Sequence, residues 1–397
     1  MTRKKVVLAY SGGLDTSVCT RWLSEEKDLD VVCFTADIGQ GIHPVLLGKR
    51  ARASGAKKLY VRDLKSEFIR DFIFPTLKSS AVYESKYFLA TALSRPLIAK
   101  ALVEVARKEK ASYIAHGCTG KGNDQVRFEV SVAALAPDLG VIAPLREWDL
   151  TSRSEEIAYA KRKKIPLEFG AKKLYSVDEN LWGRSIEAGP LEDPWEEPKS
   201  EVYQGTVDPD RCPNRPLTLQ VHFEKGIPVG LNGKKVNPLT LISRLRTLGG
   251  KHGVGRSDLV ENRLIGIKSR EIYEAPAAAI LSAAHEALEN MTLDRNLFHY
   301  KRLLAERYAE LVYDGLWFTP LKKALDGFVE VASRRVTGDV RVKLYKGSVT
   351  VVGRKSPYSL YRKTLATYGK DDAFDRRIAE GFIKVWGLPY RGNKESV

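Results

Sequence analysis

The chain has 397 residues, 43% hydrophobic and 29% charged, which excludes a mainly disordered, collagen-like or small disulfide-stapled protein. Its 65 Lys and Arg against 49 Asp and Glu leave a net charge of +16, which favours phosphate, nucleic acid or acidic small molecules as partners. The surplus divides evenly, +8 in residues 1–168 and +8 in the rest, so it marks out no nucleic-acid-binding module.

Residues 1–168 alternate between strand and helix patterns. Short β-branched runs at Val6–Tyr10, Val31–Asp37, Lys58–Asp63, Ser112–His116 and Val141–Ala143 predict buried strands. Helical periodicity lies between them near 14–26, 43–54, 66–79, 92–109, 124–135 and 151–164. Leu93, Leu97, Ala101 and Val105, for example, share one helix face. This alternation predicts an α/β domain, a doubly wound parallel sheet whose ligands sit beyond the carboxyl ends of the strands. The loops after Tyr10, Asp37 and His116 are therefore the places for chemistry. The apolar run Val6–Tyr10 behind the basic N-terminus is too short for a signal peptide, and no stretch reaches the roughly 18 apolar residues of a membrane span. Cys19, Cys33, Cys118 and Cys212 form no metal-ligand spacing, and a reducing cytoplasm is the expected compartment.

From about 166 the texture changes to α+β. Pro and Gly thicken through 189–216, an irregular connection. A strand at Thr218–Phe223, a turn at Asn232-Gly233, helices at 238–248, 277–290 and 294–312, and a hairpin at Arg341–Val352 follow. From 371 the tail carries Phe374, Ile378, Phe382, Ile383 and Trp386 at helical spacing, a terminal helix that packs either on another subunit or on its own domain. The expected division is a nucleotide domain at 1–168, an α+β domain at 169–370 and a C-terminal helix at 371–397.

The sharpest local signal is Ser11-Gly12-Gly13-Leu14-Asp15-Thr16-Ser17, between the first strand and the first helix. Glycines let backbone N–H groups approach phosphate, hydroxyls add donors, and the helix N-terminus favours negative charge. It is neither the Walker pattern nor GxGxxG. A second polar cluster, His116 to Glu129, holds Gly117, Thr119, Asn123, Asp124 and Arg127. Asn123 and Arg127 are four apart and share a helix face, suited to a substrate carboxylate. His116 itself reads as a structural strand-end histidine, and nothing in the sequence forms a Ser/His/Asp or HExxH constellation.

The Ser11–Ser17 loop resembles that of the N-type ATP pyrophosphatases, and with the second cluster the chain resembles the argininosuccinate synthase family from Val6 to about Pro389. Supporting stretches include Thr35-Ala36-Asp37-Ile38-Gly39-Gln40, Ser94-Arg95-Pro96-Leu97, Asp178-Glu179-Asn180-Leu181-Trp182-Gly183-Arg184-Ser185, Leu248-Gly249-Gly250-Lys251-His252-Gly253, Val260-Glu261-Asn262-Arg263 and Lys268-Ser269-Arg270-Glu271-Ile272-Tyr273. The resemblance implies an adenine-nucleotide-hydrolase-like first domain, a synthetase domain and a homotetramer. It implies ATP-dependent condensation of citrulline with aspartate through a citrullyl-adenylate, releasing AMP and pyrophosphate, in arginine biosynthesis. ATP would meet Ala9, Tyr10, Ser11, Gly12, Gly13, Leu14, Asp15, Thr16, Ser17, Ala36 and Gly117. Citrulline would meet Tyr87, Thr91, Asn123, Arg127, Ser176, Ser185, Glu261 and Tyr273, and aspartate would meet Thr119, Asn123 and Asp124. Asp15 and Asp124 would be the catalytic acids, Asp15 facing Mg²⁺ that arrives with ATP, with no dedicated metal site. Neither nucleic acid nor membrane is required. Ala92 replaces a hydroxyl residue common in the family, with Thr91 adjoining it, and Ala90 replaces a glycine. Gly41 to Arg50 is basic where the family runs acidic. The rival classes are a tRNA-thiolating pyrophosphatase-loop enzyme, which would need reactive cysteines, and a non-catalytic nucleotide- or RNA-binding protein.

Overall fold

The computed structural model describes residues 3–150, 152–166 and 174–391. The first domain is built on a five-stranded sheet of β1 (Lys5–Ala9), β2 (Asp30–Asp37), β3 (Lys58–Asp63), β4 (Tyr113–Ala115) and β5 (Gly140–Ile142). Its order is β3-β2-β1-β4-β5 and every pairing is parallel. Val6, Val7 and Leu8 of β1 are fully buried, as a central strand covered on both faces requires. The helices α1 (Leu14–Glu25), α2 (Pro44–Ala53), α3 (Ala90–Glu109), α4 (Asp124–Leu135) and α5 (Arg153–Arg162) fall where the periodicity places them, to within a few residues. The stretch predicted at 66–79 is helical with a π turn at Ile69–Ile73. Ser152 and Glu155 close a capping box at the start of α5.

The strand order reverses between β1 and β4. The loops leaving these two strands therefore open a crevice at their carboxyl ends, and those are the Ser11–Ser17 loop and the 116–123 loop. The third loop singled out, after Asp37, also meets the second half of the chain. Its Ile38 carbonyl accepts from Leu181 N–H at 2.9 Å, so it forms a seam with the second half of the chain.

That second half holds two antiparallel sheets. One orders β11 (Arg256–Asn262), β12 (Lys268–Glu274), β7 (Arg184–Glu187) and β6 (Ser176–Glu179). The other orders β10 (Lys234–Lys235), β9 (Ile227–Leu231), β8 (Leu217–Glu224), β13 (Gly338–Tyr345) and β14 (Ser348–Lys355). The helices α6 (Pro238–Lys251), α7 (Pro276–Thr292) and α8 (Arg295–Tyr313) match the predicted spans, whereas α9 (Pro320–Ser333) and the β6–β7 and β11–β12 hairpins carried no sequence prediction. The 189–216 connection is irregular, with only short 3₁₀ turns. α10 (Ile378–Trp386) leaves Ile378, Phe382, Ile383 and Trp386 63–71% exposed, so among the described residues nothing covers these four side chains. The expected boundary at 168/169 lies outside the described residues.

Candidate active site

Gly12 makes the first turn of the site. Its φ is +79°, a conformation that favours glycine, and a Cβ there would lie 2.3 Å from Leu47 Cδ2 and displace that side chain. Ser11 Oγ bonds Thr16 Oγ1 at 3.0 Å and accepts from Gly13 N–H at 3.3 Å, which draws the loop over the helix start. Tyr10 hydroxyl meets Ser17 Oγ at 3.2 Å beneath it. α1 begins at Leu14 with Gly13 as N-cap and no side-chain cap, which leaves the first-turn N–H groups, with Asp15 among them, for an anion. Gly117 closes the far side: a Cβ there would lie 3.2 Å from Thr16 Cγ2. Ala36 is buried toward the end of β2, which neighbours β1. Ala9 to Ser17 and Gly117 thus lie at the strand-order reversal, with Ala36 one strand away on β2. The departure at 41–50 also reaches this loop, since Arg50 Nη1 approaches the Gly12 carbonyl at 3.5 Å.

A second element of the site is a cavity of about 110 Å³ lined by Tyr87, Thr91, Thr119, Asn123, Asp124, Arg127, Ser185, Glu261 and Tyr273. Nine of the ten residues expected to face the two amino acids therefore share one cavity. The tenth, Ser176, opens β6 opposite Glu187 of β7, is exposed, and is not in the lining. The cavity also takes Gly122, Asp178, Glu187, Arg263 and Glu271, to which the sequence reading gave no role.

Charge is arranged in three groups. Asp124 accepts from Arg95 Nη2 at 2.7 Å and Arg127 Nη1 at 2.9 Å. Burial pushes the Asp124 carboxyl up, but the two guanidinium groups overcome it and hold it well below the carboxylate range. Arg95 also pairs with Asp178, whose carboxyl burial pushes up. On the opposite wall Glu261 accepts from Tyr273 and Tyr313 hydroxyls, each at 2.5 Å; burial raises this carboxyl and the hydrogen bonds lower it less. At the third corner Arg263 pairs with Glu187 and with Glu271 at 2.7 Å. Burial first, and then the charge of Glu187, push the Glu271 carboxyl up.

The Ala92 departure has a local answer. Tyr87 hydroxyl accepts from the Thr91 and Ala92 N–H groups at 3.0 Å and bonds Thr91 Oγ1 at 2.5 Å, so a hydroxyl still stands at the helix start, one residue earlier. Tyr87 stacks on Tyr273 at 4.1 Å between ring centres, and burial pushes its phenol up to about 12. Ala90 gives its carbonyl to Asn180 Nδ2 at 2.7 Å. His116 is buried, with Nε2 3.0 Å from Glu129 Oε1, the structural role expected of it. Burial pushes the Cys118 and Cys19 thiols up, away from the thiolate that sulfur-transfer chemistry needs.

Tyr313, the last residue of α8, touches three of these groups yet had no sequence signal beyond helical apolar spacing. The nearest signal is Gly315, at φ +78°, where a Cβ would lie 2.6 Å from the Arg127 Cα; it ends the helix against the site.

Residues 5–166 match the family model described as arginosuccinate synthase N-terminal HUP domain, and residues 175–393 match the arginosuccinate synthase C-terminal domain. The chain is 56% identical over 390 residues to the argininosuccinate synthase of Symbiobacterium thermophilum, covering 98% of this chain and 97% of that one. It is 55% identical over 385 residues to that of Thermoanaerobacter sp. strain X514, covering 97% and 94%. With that of Pelotomaculum thermopropionicum it shares 54% over 387 residues, covering 98% and 96%.

Proposed function

We propose the following reaction for a chain that belongs to the argininosuccinate synthase family: ATP-dependent ligation of citrulline and aspartate to argininosuccinate, with release of AMP and pyrophosphate. It is a carbon–nitrogen ligase of arginine biosynthesis. One observation carries the reading at the level of the site. A single loop and the helix it opens run from Gly117, against the phosphate-type turn, through Thr119 and Asn123 to Asp124 and Arg127 in the cavity, so nucleotide and amino acids share one wall.

The citrulline ureido oxygen attacks the α-phosphorus, pyrophosphate leaves, and the aspartate amine then displaces AMP from the adenylate. The side chains supply positioning and charge rather than a nucleophile. The first-turn N–H groups of α1 receive the leaving pyrophosphate. Arg127 faces the citrulline carboxylate, and Glu261 with Ser185 faces its ammonium, which would draw the Glu261 carboxyl to its charged form. Thr119, Asn123 and Asp124 meet aspartate. Burial, and then the neighbouring Asp15, push the Glu156 carboxyl up to about 8. Two carboxyl groups that close offer the hard oxygen donors Mg²⁺ prefers, so the residues fit a Mg²⁺ carried in with ATP, which would neutralise charge on the departing pyrophosphate. Thus Asp15 and Asp124 are the acids assigned to the two half-reactions.

The test is product identity. AMP and pyrophosphate should form only when citrulline is present, and argininosuccinate only when aspartate is added. Citrulline-independent release of ADP would overturn the assignment.

The divisions near 168 and near 370 set apart a nucleotide domain, an α+β domain and an assembly helix, with the amino-acid cavity drawing residues from the first two. A cytoplasmic location fits the four free cysteines, and among the described residues no helix is long and apolar enough to cross a membrane. A homotetramer is supported by the uncovered apolar face of α10, where Phe382 and Trp386 stack at 5.6 Å in the open. Light scattering should give the mass of four chains, and Phe382→Asp with Trp386→Asp should lower it. A monomer in the unmodified protein would overturn the tetramer.

A further inference from the structure

We propose that Tyr313 is a positioning residue for both amino-acid substrates, because its single hydroxyl holds Asn123 and Glu261 at once; the inference rests on the assignment of the cavity to citrulline and aspartate. The hydroxyl accepts from Asn123 Nδ2 at 2.7 Å and donates to Glu261 Oε1 at 2.5 Å. A phenol has one hydrogen and a carboxylate can only accept, so the direction of both bonds is fixed. That in turn fixes the Asn123 amide: its Nδ2 points to Tyr313, while its Oδ1 accepts from Leu264 N–H at 3.0 Å. An amide that could flip would present a donor or an acceptor to substrate indifferently. This one cannot.

The same residue fixes the third group. The Tyr313 carbonyl accepts from Arg127 Nε at 2.7 Å, and the Arg127 guanidinium lies 4.7 Å from the centre of its ring. The other face stacks on Tyr83 at 3.7 Å with the planes 6° apart, which leaves the ring no freedom to turn. Tyr313 is 1% exposed and does not line the cavity, so it acts through the groups it holds. Burial, then the Glu261 charge, push its phenol up, which keeps the proton on the hydroxyl at working pH. Asn123 and Arg127 come from the first domain, Glu261 from β11 of the second. One side chain thus sets the spacing between the aspartate-facing and citrulline-facing halves of the site.

Tyr313→Phe removes the hydroxyl and keeps the ring, its stack on Tyr83 and the backbone bond to Arg127. With both charged and amide partners released, KM should rise about tenfold for citrulline and about tenfold for aspartate, with the ATP KM changed less than about twofold. A purely structural role would lower the thermal midpoint and the active fraction, and so kcat, without moving either KM; that pattern overturns the proposal. A double-mutant cycle with Asn123→Ala gives a second measurement. If the hydroxyl acts through the amide, Tyr313→Phe adds little to the aspartate KM once the amide is gone, whereas simple additivity overturns it. The unmodified enzyme is assayed alongside. If it lacks citrulline-dependent AMP release, the reading of the site fails first; if it has that activity and Tyr313→Phe matches it in both KM values, only this inference fails.

Discussion

Arg127→Leu should cut kcat/KM for citrulline by about two to three orders of magnitude while the ATP KM stays within about twofold. The arginine is 5% exposed and spends its guanidinium on two protein partners, the Tyr313 carbonyl and Asp124. Leucine fills much of the volume but leaves the carbonyl without a donor, Asp124 with Arg95 alone, and an incoming carboxylate with no counter-charge. Breaking a buried pair by removing one partner costs about 3–5 kcal/mol, and each 1.4 kcal/mol is about tenfold. Arg127→Lys keeps the charge but not the fork, and should fall between leucine and wild type. The measurement is AMP release against citrulline at saturating ATP and aspartate. An unchanged citrulline KM beside a lowered thermal midpoint would make Arg127 a clamp on Tyr313 and remove it from the substrate site.

Asp124→Asn should separate the two half-reactions. Aspartate must bring a free amine to the adenylate, although in solution that amine is mostly ammonium, and a carboxylate can bind the ammonium and orient it as the proton leaves. Both Asp124 oxygens already accept from an arginine, yet each keeps a further lone pair, and the side chain is 30% exposed, toward the cavity. Asparagine keeps the shape and removes the charge. Losing a charge-assisted hydrogen bond costs about 1.5–3 kcal/mol, so full turnover should slow by about one to two orders of magnitude. Exchange of labelled pyrophosphate into ATP needs only citrulline, and should fall by less, about severalfold, because Arg127 loses one of its partners. Equal losses in exchange and in turnover would mean that Asp124 works only by holding Arg95 and Arg127.

The fold of the first domain and the place of its crevice were legible in the residues alone. Its inner strands β1 and β2 are hydrophobic runs buried on both faces, so local composition suffices to identify them; β3 and β5, predicted as buried, lie at the sheet edges and are only half-buried, and the turn at Gly12 carries its own geometric demand. The residues at 116–127 were legible for a related reason: a loop so rich in glycine and polar groups contributes little to a core. The second half was less legible. β11 and β12 read Arg-Ser-Asp-Leu-Val-Glu-Asn and Lys-Ser-Arg-Glu-Ile-Tyr-Glu, too charged to announce strands. Only the tertiary structure buries Glu261, Glu271 and Tyr273, by setting them against Arg263, Tyr313 and Tyr87. That the loop after Asp37 also docks on Leu181 is a contact no local pattern announces. Tyr313 lies 190 residues from Asn123 along the chain and 2.7 Å away in space. Periodicity and spacing report which face of an element meets water. Which distant polar group waits on that face depends on how the domains close on each other, and local sequence carries no term for it.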